Sequence, residues 1–147
     1  RTILRKMRQD FKNRIILVVR SDLEGWQVAN TIAHISADIG NKLKDRFGTD
    51  EFFVTKDGIG HPRNSQYPII IKRAKSNEQL HNLMEKIREA GVVYHGFIRE
   101  MIAYTADAEV QEHLGKKDDA EVEYLGIGVF GQNDTVGALT KKFGLWE

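Results

Sequence analysis

The apolar positions fall into blocks whose spacing switches between strand-like and helical. Ile15-Ile16-Leu17-Val18-Val19 is an unbroken apolar run, the pattern of a central strand buried on both faces. It ends in Arg20-Ser21-Asp22-Leu23, and a turn at Gly25 leads into a helical pattern over about 26–45. At about 100° per residue, Val28, Ile32, Ile35, Ile39 and Leu43 form one stripe of that helix. Ala29, Ala33, Ser36 and Gly40 form an adjacent stripe of small residues, which predicts close approach by a second neighbour. Gln27, Asn30, Thr31, His34 and Asp38 occupy the third, polar side.

Further along, Phe52-Phe53-Val54 predicts a short strand, stopped by the Asp57-Gly58 turn signal, with a loop over 57–66. Pro68-Ile69-Ile70-Ile71 is a second fully apolar strand. Ser76-Asn77-Glu78-Gln79 has capping-box spacing and opens a helix with Leu80, Leu83, Met84 and Ile87 inward. Gly91 stops that helix, and Val92-Val93-Tyr94 begins the next strand. Strand, capped helix and strand predict a βαβ unit with parallel pairing. A short helix is expected over 105–115, with Val110 and Leu114 inward, and a last strand over 122–130. Asn133 is placed to cap a final helix through Val136, Leu139 and Thr140, followed by Lys141 and Lys142 and closed by Gly144. The expected class is α/β: three layers, α/β/α, around a mixed sheet of about four main strands with helices on both faces.

The chain has 147 residues, the length of one domain with one core. No apolar run approaches the roughly 18–20 residues that span a membrane. Cysteine is absent, which excludes disulfide and thiolate chemistry and fits a cytoplasmic location. The chain opens at Arg1 rather than methionine, which leaves room for an upstream targeting segment. Net charge is +1 but uneven: residues 1–14 carry +5 and the rest −4. Ile3, Leu4, Met7 and Phe11 fall at helical spacing within that basic segment. The organisation expected is therefore a basic N-terminal arm or helix over 1–14 and a single domain over 15–147. The arm could meet phosphate backbones or an anionic surface, or pack its apolar stripe on the domain.

Common chemical signatures are weak or missing. Gly126-Ile-Gly128-Val-Phe-Gly131 matches G-x-G-x-x-G literally, but its first two glycines lie inside a predicted strand rather than in the turn after one. No acidic residue follows at the dinucleotide spacing, so no nicotinamide or flavin cofactor is expected. No phosphate loop, G-x-S-x-G elbow or H-E-x-x-H is present. His34, His61, His81, His95 and His113 share no metal-ligand spacing, so no metal is expected. His81 and His113 fall on polar helix faces and read as solvated; His61 sits in a loop and His95 ends a strand. His34 lies on the same helix face as Gln27, Asn30 and Thr31, either tying the helix to a strand or facing a ligand. Asp22 either caps the turn before the helix or points into a cleft as a base.

Two stretches carry a family resemblance. Arg20-Ser21-Asp22-Leu23, followed by Trp26-Gln27-Val28-Ala29-Asn30-Thr31-Ile32-Ala33-His34, resembles the opening motif of type 2 peptidyl-tRNA hydrolases. Leu125-Gly126-Ile127-Gly128 resembles a later strand of that family. Asn30 to His34 and the tail Leu139-Thr140-Lys141-Lys142-Phe143-Gly144-Leu145-Trp146 are similar to a second family of unknown function that shares the hydrolase fold. The resemblance implies the three-layer fold and no known reaction. Where the hydrolases keep a lysine this chain has Gln27, which brings no charge to a developing oxyanion. The hydrolases' second motif aligns with Arg99-Glu100-Met101-Ile102-Ala103-Tyr104, with glutamate for aspartate and no glycine.

Three functional readings follow. In a hydrolase of altered specificity, Asp22 or Glu100 is the base, Gln27 and Asn30 orient substrate, and Arg20, His34 and Arg99 bind it. In a non-catalytic module, the same cleft holds a small molecule or an RNA end. An assembly role, with Trp26, Trp146 and the basic arm forming a homodimer, is compatible with either.

Overall fold

The computed structural model describes residues 7–147. Its elements are β1 (Asn13–Arg20), α1 (Gly25–Leu43), β2 (Phe52–Val54), β3 (Gly60–Pro62), β4 (Ile69–Ala74), α2 (Asn77–Ala90), β5 (Val93–Ile98), α3 (Arg99–Ala103), α4 (Asp107–Leu114), β6 (Tyr124–Gln132), α5 (Asn133–Thr140) and β7 (Gly144–Leu145). The main sheet is mixed and five-stranded, in the order β5-β6-β1-β4-β7. β1 pairs parallel with β4 and antiparallel with β6, which explains why Ile15–Val19 is buried throughout.

Alternation along β1 splits the core into two layers. Ile16 and Val18 pack with Leu80, Leu83, Met84 and Ile87 of α2 and Val136 of α5. Ile15, Leu17 and Val19 pack with Ile35, Ile39 and Leu43 of α1. Helices therefore cover both faces, as the sequence pattern predicts. α2 is capped by Ser76 Oγ, which accepts from the Gln79 amide at 3.3 Å, and ends at Gly91 with φ of +66°. The Gln79 side chain reaches the Lys75 amide rather than that of Ser76, so only half of the expected box forms.

Several local expectations are corrected. β5 runs in the same direction as β4 but does not pair with it; it pairs antiparallel with β6 at the far edge of the sheet. β6, from later in the chain, inserts between β5 and β1. A fifth strand, β7, pairs with β4 and contains Gly144, which therefore does not close α5. The expected loop over 57–66 contains β3, which pairs with β2 in a separate hairpin. Residues 7–12 form no helix, and Phe11 is exposed; the rest of the expected basic helix, residues 1–6, lies outside the described residues. Asn133 is the first residue of α5 rather than its cap, and its side chain donates to the Phe11 carbonyl.

The faces of α1 also differ in part. Ala29 and Ala33 are exposed, and Thr31, placed on the polar side, is fully buried. The small residues that permit close approach lie on the strand instead. A Cβ on Gly126 would stand 2.8 Å from Thr31 Cγ2, and one on Gly128 would stand 2.3 Å from Ile35 Cγ2. The G-x-G spacing of β6 thus seats α1 on the sheet.

Candidate functional site

The C-terminal ends of β1 and β5 and the start of β6 meet at one edge of the sheet, where open α/β folds present ligand-binding residues. Arg20, the last residue of β1, forms a two-pronged pair with Asp22: Nε to Oδ1 at 3.0 Å and Nη2 to Oδ2 at 2.7 Å. Its Nη1 donates to Glu123 Oε2 at 2.8 Å. Arg99, the first residue after β5, donates to the same oxygen through Nη2 at 2.6 Å and Nε at 3.1 Å. The chain is two guanidinium groups and two carboxylates, each held by another member. Hydrogen bonds from Arg20 keep the Asp22 carboxyl below its usual range. Those from Arg99 do the same for Glu123, against the opposing effect of burial.

Glu100 turns the other way. It is buried, accepts from Lys117 Nζ at 2.6 Å through Oε1, and has no partner for Oε2 among the described residues. Gln27 lies in the first turn of α1, where its Oε1 accepts from the Glu24 amide at 3.0 Å. That bond satisfies the backbone at the helix start and fixes the side chain locally. Asp22 therefore bonds Arg20 directly, and Glu123 links Arg20 to Arg99, whereas Gln27 and Glu100 each bond elsewhere. Asn30 is half-buried on α1, one turn before His34.

His34 belongs to a second group. Its exposed ring stacks on buried Phe97 of β5, with centroids 5.0 Å apart and planes 19° apart. Both line a cleft of about 780 Å³ bounded by α1, β5, α3 and α4. In its wall His95 Nδ1 lies 2.7 Å from Asp38 Oδ2, and Lys42 also bonds Asp38. Burial disfavours the Asp38 charge, but the bonds from Lys42 and His95 outweigh it and hold the carboxyl below its usual range. His95 lies within β5 rather than at its end. His81 and His113 are half-buried rather than solvated: His81 Nε2 meets the Val122 carbonyl at 2.6 Å, and His113 stacks on Tyr104.

The sequence reading missed Glu123, Lys117 and the Asp38–His95 pair. Asp38 stands one turn beyond His34, and His95 two residues before Phe97, so helix and strand periods place all four on facing surfaces once α1 covers β5. No group of three or more metal-binding side chains forms among the described residues. No helix is long and apolar enough to cross a membrane among them.

Residues 13–147 match the family DUF2000, described as a protein of unknown function. The chain belongs to DUF2000. Its fold is shared by a solved structure, the protein of unknown function Atu0240 from Agrobacterium tumefaciens strain C58, with a TM-score of 0.81. That comparison covers 94% of the DUF2000 chain and 100% of the other at 22% identity, which shows a common fold alone. No curated protein sequence matches.

Proposed function

We propose that this DUF2000 protein is a small-molecule-binding protein on a type 2 peptidyl-tRNA hydrolase-like scaffold, without that family's reaction. The reading rests on the cleft of about 780 Å³ beside His34 and Phe97, a volume suited to a small organic ligand. The neighbouring charge chain supports it from the other side. Arg20, Asp22, Arg99 and Glu123 hold one another, and the Gln27 oxygen serves the start of α1, so among these described residues each charge is committed to a neighbour rather than to an incoming ester.

Peptide release from peptidyl-tRNA tests the missing reaction. The native chain is expected to be inactive, and clear turnover by it would overturn the reading. An NMR screen of ring-containing fragments tests the binding role. Hits are expected to shift amides around Ala37, Met101 and Leu114; a screen whose hits all map elsewhere rejects the cleft.

One observation favours a second reading, a hydrolase of altered specificity. The Asp38–His95 pair has the orienting-acid and imidazole arrangement of a general base. Its test is hydrolysis of p-nitrophenyl acetate above background, abolished by Asp38→Asn.

A further inference from the structure

His95 Nε2 is covered from water and has no hydrogen-bond partner among the described residues. An unpaired buried nitrogen is costly to leave so, and a group that supplies the missing bond gains on binding. The identity of that group follows from the opposite side of the ring. Asp38 is ionised and a carboxylate only accepts, so whenever the ring carries a single hydrogen that hydrogen resides on Nδ1, 2.7 Å from Asp38 Oδ2. Nε2 is then a bare acceptor and requires a donor.

The walls specify the rest of the ligand. On the α1 side His34 presents an imidazole already stacked on Phe97. Across the cleft Tyr104 is stiffened by a parallel stack on His113, at 4.1 Å and 3°. Flat surfaces from two elements favour a flat guest. Met101, unbranched and 38% exposed, lines the same cleft and can change rotamer at low cost to fit a guest beside His95.

Building on the cleft-binding reading above, we infer that the cleft takes a small planar ring compound bearing a hydroxyl or N–H donor. The ring lies along His34, and the donor bonds His95 Nε2. The other charged groups near this wall are Lys42, which is bonded to Asp38, and Asp107 at the start of α4. Asp107 disfavours an anionic guest, which agrees with a neutral donor.

The probes are phenol, toluene and benzoate, titrated into the full chain in alkaline buffer and followed by 1H–15N spectra. Phenol is expected to bind about tenfold more tightly than toluene, the equivalent of one hydrogen bond in a dry site. In His95→Phe the preference falls to parity. As a check independent of that variant, phenol moves the His95 Nε2 resonance of the native chain. Equal binding of phenol and toluene in the cleft overturns the anchor while leaving the cleft as a binding site. Tighter binding of benzoate than phenol also overturns it, because His95 would then present a donor. Absence of cleft shifts with all three probes near their solubility limits overturns both the anchor and the cleft reading.

Discussion

Ile35 of α1 occupies the space that a side chain on Gly128 of β6 would need: a Cβ there would lie 2.3 Å from Ile35 Cγ2 and 2.6 Å from Ile39 Cδ1. Both isoleucines are fully buried in the layer beneath α1, so neither has room to retreat. Gly128→Ala is expected to destabilise the fold by about 1–3 kcal/mol or more through overpacking. Ile35→Ala in the same chain should cost less beside Gly128→Ala than it does alone, because it removes the Cγ2 that the new Cβ meets. Urea denaturation measures both. Gly25→Ala is the control: nothing lies within 4 Å of a Cβ there, and its stability should stay within about 0.5 kcal/mol of the native chain. Equal midpoints for the two alanine variants would show that β6 and α1 are not packed as described.

The Glu123 junction predicts a response to acid. The folded-state carboxyls of Glu123 and Asp22 lie below their ordinary values of 4.5 and 3.8. A depressed folded value means the unfolded chain takes up the proton first as pH falls. Their stabilisation is therefore fully present above the ordinary values and is lost as pH drops through the folded ones. Denaturation midpoints taken from neutrality down to about pH 3 should fall, and Glu123→Gln should flatten that slope. An unchanged slope would remove Glu123 from the account. The change at neutrality should be small, because both carboxylates are partly solvated.

At α2, Ser76→Ala removes the oxygen that accepts from the Gln79 amide and should cost about 1 kcal/mol. Gly91→Ala places a Cβ on a residue with φ of +66° and should also destabilise. Thermal melts of the single and double variants test whether the two helix ends contribute independently.

Gln27→Ala should behave as a loss of helix capping, not as a loss of binding. Its amide oxygen bonds Glu24 in the first turn, so the expected effect is a stability loss of up to about 1 kcal/mol. The phenol titration should be unaltered. A variant that folds normally but no longer binds phenol would move Gln27 from the helix start into the ligand site.

Periodicity made much of the fold readable in advance. The apolar run of β1 requires cover on both faces, and the inner stripe of α2 with its Ser76 cap and Gly91 stop matches the structure closely. Strand partners were not readable in this way. The pattern over 68–94 is the same whether β5 pairs with β4 or, as observed, with β6, because pairing is settled by backbone bonds that any strand can offer. β7 is two residues long, too short to show a period. Thr31 reads as polar by type, yet Gly126 creates the hollow that buries it.

The site divides in the same manner. Arg20, Asp22 and Arg99 stand beside turns and strand ends, positions that local pattern can pick out, and they meet through Glu123. Asp38 and His95 lie 57 residues apart, and their contact exists only because α1 lies across β5. The sequence by itself determined an α/β chain with a buried central strand, its principal helices, and membership of DUF2000. Tertiary structure alone decided which charges neutralise one another, that Gln27 serves the start of a helix, and that an imidazole nitrogen is left without a partner in the wall of a cleft. The physical reason is range: helix and strand periods are fixed by neighbours a few residues apart, whereas hydrogen bonds and burial depend on whatever distant segment the fold brings alongside.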